Sequence, residues 1–190
     1  MSEYVITCCS TADMPASYFE EKKVPYACFH FLLDGKEYPD DLGKTISFAD
    51  FYKMIADGAQ PTTAQVNTEQ YMNLFEPILQ NGKDVLHLAL SSGISGTINS
   101  ANMAKVQMEE KYPDRKVVVI DSLAASSGFG LLLDKALENQ EKGMNLEENA
   151  KWIEENKNKL HHWFFSTDLT SFIRGGRISK VSGFFGQALN

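Results

Sequence analysis

The chain has 190 residues, of which 43% are hydrophobic and 23% charged, a composition typical of a folded globular protein. Its 18 basic and 25 acidic residues give a net charge of −7, and no basic stripe is present, which disfavours nucleic acids and anionic membrane surfaces as partners. No apolar run approaches the ~20 residues of a membrane helix, and no secretory signal opens the sequence, so we expect a cytoplasmic protein without an integral membrane segment.

Short apolar runs alternate with helical periodicities along most of the chain. Buried strands are predicted at Tyr4–Cys9, Val24–Leu33, Asp84–Leu90, Lys116–Ile120 and His161–Ser166. The second strand is followed by Asp34-Gly35, a hairpin signal. Between two predicted helices, Gln60–Val66 has no periodicity and is expected to be a loop.

Helices are predicted between these strands from capping residues and from apolar spacings of three and four. The first begins at Asp13-Met14-Pro15, with proline in its first turn. The second follows Ser47, and the third begins with the capping-box pair Asn67 and Gln70. The expected apolar stripes comprise Phe48, Phe51, Tyr52 and Ile55 in the second helix, Tyr71, Leu74, Phe75 and Ile78 in the third, and Ala101, Ala104 and Met108 in the fourth.

The alternation of strand and helix predicts a parallel α/β sheet domain with helices on both faces. Ligands of such sheets bind at the carboxyl ends of the strands. Four polar segments follow predicted strands, and we expect any binding chemistry there. They are Ser10–Asp13, Ser91–Thr97, Asp121–Ser127 and Thr167–Arg177.

The three cysteines, Cys8, Cys9 and Cys28, are too few and too badly spaced for a zinc site or a disulfide framework. Cys8 and Cys9 are expected to end a buried strand as reduced thiols. No spacing of histidine, cysteine and carboxylate residues suggests a metal site.

The loop Ser91–Thr97 is the most informative segment. Gly93 and Gly96 allow a ligand to approach the backbone, and the following helix presents free N–H groups and a positive dipole end. Because no lysine follows, a nucleotide phosphate loop is not indicated, whereas a single carboxylate needs only two or three donors. The hydroxyl donors are those of Ser91, Ser92, Ser95 and Thr97. Alternatively, the serines only cap the helix.

Other polar residues leave two interpretations open. The Thr62 and Thr63 hydroxyls are available to a ligand because Asn67 already caps the next helix. Arg174 and Arg177 flank a glycine turn, where they bind a carboxylate or phosphate or are simply solvated. Two acidic residues, Asp13 and Asp121, each follow a strand and either bind a partner loop or cap a helix.

A serine hydrolase is the alternative function. Residues 93–96 resemble a nucleophile elbow, with Ser95 as the nucleophile, but Thr97 stands where G-x-S-x-G needs glycine. His161 and His162 are the possible bases.

Five segments resemble motifs of the DegV family of bacterial fatty-acid-binding proteins, in the family's order and across nearly the whole chain. They are Ser10–Pro15 (S-T-A-D-M-P), Pro61–Gln65 (P-T-T-A-Q), Ser91–Thr97 (S-S-G-I-S-G-T), Asp121-Ser122 after a strand, and Gly175–Ser179 (G-G-R-I-S). Each motif is weak alone, but five in order are specific.

The resemblance implies two α/β domains with one fatty acid buried between them. The carboxylate lies near the domain junction, and an acyl chain of about 16 to 18 carbons fills an apolar tunnel, where each buried methylene contributes roughly 0.8 kcal/mol. Family members are not enzymes by themselves and need no cofactor. In many bacteria they present the fatty acid to a separate ATP-dependent fatty acid kinase, which makes an acyl phosphate.

The resemblance also implies a set of binding residues. The family's carboxylate-binding threonine matches Thr63, and its serine matches Ser92, with Ser95 as the alternative. The Gly93 amide is a further donor. Residues Thr62, Gly96 and Arg177 are expected to support the site.

The sequence departs from the family motifs at three positions. Cys9 stands where the first motif has aspartate, and Ala64 and Val66 stand where the second has serine and proline. Losing one hydroxyl weakens head-group binding by about 0.5–1.5 kcal/mol if that hydroxyl contacts the ligand.

Members of this family are longer than this chain. We therefore expect residues 1–160 to form the N-terminal α/β domain, with segment 60–80 packing against the second domain. Residues 161–190 are expected to begin that second α/β domain, and Gly183–Asn190 to approach one of its strands. If the rest is absent, apolar surface is exposed, and a form that binds no ligand and acts only through protein contacts is the third hypothesis.

Overall fold

The structure is a computed structural model that describes residues 3–166 and 168–179. The strands are β1 (Tyr4–Cys9), β2 (Tyr26–Ala27), β3 (His30–Leu33), β4 (Lys36–Pro39), β5 (Thr62–Ala64), β6 (Asp84–Ala89) and β7 (Val117–Asp121). The helices are α1 (Ala16–Lys22), α2 (Phe48–Ala56), α3 (Thr68–Gln80), α4 (Thr97–Lys111), α5 (Ser126–Glu141), α6 (Leu146–Asn156) and α7 (Thr170–Arg174). Short 3-10 turns follow β1 and α6, at Ser10–Ala12 and Lys157–Lys159.

A four-stranded parallel sheet in the order β2-β1-β6-β7 forms the centre of the molecule. Helices α3 and α4 contact it on one face, and α5 and α6 contact it on the other. Every residue of β6 is buried because this central strand is covered on both faces, which explains its largely apolar sequence, interrupted by Asp84 and His87. The predicted parallel α/β fold is confirmed.

Side chains along β1 alternate between the two helical layers, as the period of a strand requires. Tyr4 points to α6, where its hydroxyl donates to Met144 O at 3.0 Å and accepts from Asn149 Nδ2 at 3.0 Å. Thr7 and Cys9 point to α3 on the other face. The two faces of the sheet therefore carry different polar contacts.

A second sheet has three antiparallel strands in the order β4-β3-β5. Strands β3 and β4 form the predicted hairpin, and its turn residues Asp34 and Gly35 both have positive φ, 51° and 77°. Positive φ at both central residues defines the turn that suits the twist of a two-residue hairpin.

The predicted strand Val24–Leu33 is wrong as a single element. The chain instead forms β2 beside β1 and then β3 in the second sheet. Between them the Phe29 amide donates to the buried Ser10 hydroxyl at 3.1 Å, which turns the chain from one sheet to the other. Strand β5 was likewise missed, because a three-residue edge strand has too few residues to show a period.

Two predicted apolar segments are not buried. Helix α2 forms behind its Ser47 cap, but it has no buried residue, and Phe48 and Tyr52 are 58% and 66% exposed. The predicted strand His161–Ser166 is wrong, because this segment has no regular structure and pairs with no described strand. Hydrogen bonds to a neighbouring strand are what make an extended segment a strand.

The other expected apolar stripes pack into the core. Ala101, Ala104 and Met108 of α4 are buried. In α3, Tyr71 and Phe75 are buried as predicted, while Leu79 is more deeply buried than Leu74 and Ile78. The predicted strand approach Gly183–Asn190 lies outside the described residues, as does Thr167, so the two-domain division remains a prediction.

Candidate ligand-binding site

The loop Ser91–Thr97 leaves the carboxyl end of β6 and leads directly into α4. Two hydrogen bonds donated by its backbone amides hold it against the neighbouring strand β7 and the segment after it. The Ser91 amide donates to Ala124 O at 3.1 Å, and the Ser92 amide donates to Asp121 Oδ1 at 3.1 Å. The loop therefore lies at the carboxyl edge of the parallel sheet, where ligands of this fold class bind.

Asp121 is the residue that joins the two strand ends. Its Oδ1 atom also accepts from the Leu123 amide at 3.1 Å, and its backbone carbonyl accepts from Lys157 Nζ at 2.9 Å. Of the two roles predicted for Asp121, binding a partner loop is confirmed. Asp13 contacts Ser126 at the start of α5, and burial raises the pKa of the Asp13 carboxyl.

Hydroxyl groups order the inside of the loop. Ser91 Oγ accepts from the Gly93 amide at 3.2 Å, and Ser95 Oγ accepts from the Thr97 amide at 3.2 Å. Residues Ser92 and Gly93 are exposed, and Ser95 is half-buried. The Ser92 hydroxyl makes no hydrogen bond to residues 3–166 or 168–179, so it can donate to a ligand.

Strand β5 brings the threonine pair to the same region. Thr63 lies opposite Phe31 of β3, and Thr62 lies opposite Leu32, so the two threonines point to opposite faces of the small sheet. Both threonines are exposed. Just after β5, Gln65 packs on the loop: a Cβ added to Gly96 would lie 3.0 Å from Gln65 Oε1.

The turn after α7 also reaches Thr63. Arg177 Nη2 donates to Thr63 Oγ1 at 3.4 Å, and Arg177 Nη1 donates to Gly175 O at 2.6 Å. The guanidinium is exposed and places a positive charge beside Thr63. Arg174, the other arginine of this turn, makes no such contact within the described part of the chain.

Two contacts thus connect the predicted segments of the site. Thr63 contacts Arg177, and Gln65, two residues after Thr63, contacts the Gly96 end of the loop. No direct hydrogen bond joins Thr63 to Ser92 or Ser95 within the described ranges. The binding role of these residues stays a prediction.

A chain of buried polar side chains beneath this site was not predicted from the sequence. Tyr71 OH lies 2.7 Å from Thr97 Oγ1 and 3.2 Å from Cys9 Sγ. Thr7 Oγ1 of β1 lies 2.9 Å from His87 Nδ1 of the neighbouring strand β6. The available signal was polar residues inside otherwise apolar strands and stripes, namely Thr7 in β1, His87 in β6 and the tyrosine of α3.

Burial keeps these groups neutral. It lowers the pKa of His87 to about 3 and raises the pKa of Cys9 to about 11. It also raises the pKa of Tyr71. These three buried side chains beneath the candidate site are therefore uncharged at neutral pH.

The contacts of the histidines do not favour a serine nucleophile. Ser95 Oγ is bonded by the Thr97 amide, and His87 is buried against Thr7, Tyr71 and Phe75. His161 and His162 are exposed, and within the described residues no histidine hydrogen-bonds Ser95.

No group of three or more histidine, cysteine or carboxylate side chains in residues 3–166 and 168–179 is placed to hold a metal ion. None of the described helices is both long and apolar enough to span a bilayer.

The fold is that of a parallel α/β protein with polar loops gathered at the carboxyl edge of its sheet. A family model described as uncharacterised proteins of the DegV family matches residues 4–190. A DegV domain-containing protein of Clostridium perfringens is 36% identical over 190 residues, which are 100% of this chain and 65% of that protein. This chain belongs to the DegV family.

Solved structures of similar fold include two proteins described as binding fatty acids. A DegV family protein from Thermus thermophilus, described by its fatty acid binding, shares 30% identity and has a TM-score of 0.84, over 100% of this chain and 65% of its own. A stearic-acid-binding protein from Eubacterium ventriosum shares 28% identity with a TM-score of 0.73, over 80% of this chain and 52% of its own. The chain therefore spans a little over half to about two thirds of these relatives.

Proposed function

We propose that this protein binds a long-chain fatty acid and holds its carboxylate between β5 and the loop Ser91–Thr97. The observation that carries the proposal is the contact between Gln65 and Gly96, which brings the Thr63 segment to the carboxyl edge of the sheet. Membership in a family whose solved members include fatty-acid-binding proteins supports it.

The head group has hydroxyl donors and one nearby positive charge. The exposed Thr63 and Ser92 hydroxyls are the principal donors in this proposal, with Ser95 as the alternative serine and Arg177 as the charge beside Thr63. Charge-assisted hydrogen bonds to a carboxylate are the stronger kind. The Gly93 amide is already bonded to Ser91 Oγ, so it donates to the ligand only by exchanging that partner.

Apolar surface lies beside the proposed head-group site. Phe31, opposite Thr63, stacks on Tyr38 with ring centroids 5.6 Å apart and meets the edge of Phe51 at 5.0 Å. A buried acyl chain contributes roughly 0.8 kcal/mol per methylene before ordering costs, so the chain supplies most of the affinity and the carboxylate sets its orientation.

We further propose that the protein is a cytoplasmic carrier that performs no chemistry on the fatty acid and presents it to a fatty acid kinase. The acyl phosphate then forms on the kinase from ATP and the presented carboxylate. We expect a fatty-acid-loaded sample, mixed with a fatty acid kinase catalytic protein and ATP, to give acyl phosphate that hydroxylamine traps. Equal product from free fatty acid without this protein would contradict the carrier role.

The binding proposal is tested by extraction and by substitution. Mass spectrometry of an organic extract of the gently purified protein is expected to show one fatty acid per chain. The double substitution Thr63→Val with Ser92→Ala is expected to weaken binding by roughly 10-fold, since two hydrogen bonds to the head group are lost.

A matched control uses hydroxyls outside the site. Thr45→Val with Ser17→Ala removes one exposed threonine hydroxyl and one exposed serine hydroxyl, and is expected to leave the dissociation constant unchanged. Equal affinity of the site variant and this control variant would remove the head-group assignment.

A further inference from the structure

Tyr71 makes the shortest hydrogen bond in the buried polar chain under the candidate site. Its hydroxyl lies 2.7 Å from Thr97 Oγ1, and both residues are fully buried. The second neighbour, Cys9 Sγ, lies 3.2 Å away and is a weak hydrogen-bond partner. The bond to Thr97 is therefore the main polar interaction of the Tyr71 hydroxyl.

This bond joins the two segments that carry the proposed carboxylate donors. Tyr71 lies near the start of α3, which follows β5 and its Thr63. Thr97 is the first residue of α4, directly after the loop that contains Ser92 and Ser95. The two helices also pack along each other. Moving one donor segment relative to the other would thus stretch the bond between the hydroxyls.

Both ends of the bond are held in place. The Tyr71 ring lies 5.8 Å from Phe75, roughly parallel to it, and 5.0 Å from the edge-on ring of His87. On the other side, the Thr97 amide donates to Ser95 Oγ at 3.2 Å, so a shift of Thr97 moves the serine hydroxyl. Because packing fixes the side chain at each end, a displacement of one residue displaces the other.

We propose that Tyr71 is a positioning residue whose hydroxyl, through Thr97, sets the spacing between the Thr63 segment and the Ser91–Thr97 loop. The inference rests on the proposed function for its consequence in binding. With the spacing set, the hydroxyls on both segments reach one carboxylate; without it, the acyl chain still binds but the head group is bound less well. Tyr71 thus governs preference for the acid over neutral lipids of the same chain.

The experiment compares an 18-carbon fatty acid with the alcohol of the same chain, each displacing a fluorescent fatty-acid analogue from the full chain. Tyr71→Phe removes the hydroxyl and keeps the ring contacts. We expect the preference for acid over alcohol to fall roughly 3- to 10-fold. Thr97→Val is expected to give the same fall, and the double variant no further fall, because both changes remove one bond.

Tyr4→Phe is the matched control. Tyr4 is also buried, 8% exposed against 0% for Tyr71, and its hydroxyl makes hydrogen bonds of 3.0 Å to Met144 and Asn149 on the opposite face of the sheet. It is expected to lower the melting temperature and leave the acid-to-alcohol preference at the wild-type value. If Tyr71→Phe and Thr97→Val also leave that preference unchanged in a protein that binds the acid, the inference is overturned.

A ligand-free measurement separates this inference from the proposed function. Hydrogen exchange of residues 62–66 and 91–99 is expected to be faster in Tyr71→Phe than in the wild type, with β6 unchanged. A wild type without preference for the acid would refute the proposed function, and exchange alone would then decide the positioning role. Unchanged exchange in both segments would overturn it.

Discussion

At the scale of single residues, the strands place polar side chains where the sequence pattern suggested only apolar packing. His87 is fully buried in β6, beside the Thr7 hydroxyl at 2.9 Å and in edge contact with the rings of Tyr71 and Phe75. Cys9 Sγ, 3.9 Å from Nε2, is the remaining polar neighbour. All of these neighbours are uncharged, so burial alone lowers the pKa of His87 to about 3.

The stability of the protein is therefore expected to fall as the pH is lowered through the range below 6.5. A histidine with an unfolded-state pKa of 6.5 takes up a proton on unfolding there, whereas folded His87 stays neutral until about pH 3. Below about pH 5.5, His87 makes the free energy of unfolding fall by up to about 1.4 kcal/mol for each pH unit. Above pH 6.5 the stability that depends on neutral His87 is fully present.

Urea titrations between pH 4.5 and 7 measure this slope for the wild type and for His87→Leu. The variant is expected to be less stable at pH 7 because Thr7 loses its partner, and its free energy of unfolding is expected to vary less with pH, so the difference from the wild type narrows as the pH falls. Equal slopes in the two proteins would contradict the assignment of this pH dependence to His87.

At the scale of secondary-structure elements, two glycines of α5 show how close contacts fix its position. A Cβ on Gly130 would lie 2.7 Å from the backbone oxygen of Ala12 and 2.7 Å from Met14 Sδ. A Cβ on Gly128 would lie 2.0 Å from His162 Nε2, which belongs to an exposed side chain. The turn after β1 is rigid backbone, whereas an exposed imidazole can rotate away.

Alanine substitutions at these two positions are expected to change stability in opposite directions. Gly130→Ala is expected to destabilise by about 1–3 kcal/mol because α5 must move away from Ala12. Gly128→Ala is expected to be neutral or to stabilise by up to about 1 kcal/mol, since alanine favours the helix and His162 is displaced. Thermal unfolding of the two variants checks this, and a similar loss in both would show that α5 tolerates no added methyl group.

At the scale of the whole molecule, the described surface includes apolar groups that a compact core normally covers. Trp163, Phe164 and Phe165 are 93%, 81% and 93% exposed and consecutive in the chain. Phe48 and Tyr52 of α2 add a second exposed apolar group. Contiguous apolar surface of this kind marks contact sites for other surfaces.

The chain is expected to self-associate through the segment Trp163–Phe165. Sedimentation velocity should show an average mass that rises with protein concentration, and more steeply at high salt, where the repulsion of the net charge of −7 is screened. Replacing the three aromatic residues by serine is expected to restore a monomer. The variant Phe48→Ser with Tyr52→Ser is the control. If only this control variant lost the association, the contact would be formed by α2 instead.

Much of the fold follows from local patterns that burial enforces. The largely apolar runs of β1, β6 and β7 determined a parallel sheet, and the capping box at Asn67 determined where α3 begins. The five motifs determined the family, because their order in the chain is independent of how it folds.

Tertiary structure alone decided which of these segments meet. The division of Val24–Leu33 between two sheets depends on the Ser10 hydroxyl, which is distant in sequence. The contact of Gln65 with Gly96 and the bond between Tyr71 and Thr97 join segments that only packing brings together. Sequence periodicity records which face of an element is apolar, whereas long-range polar contacts depend on the distances between elements, and those distances exist only in the folded chain.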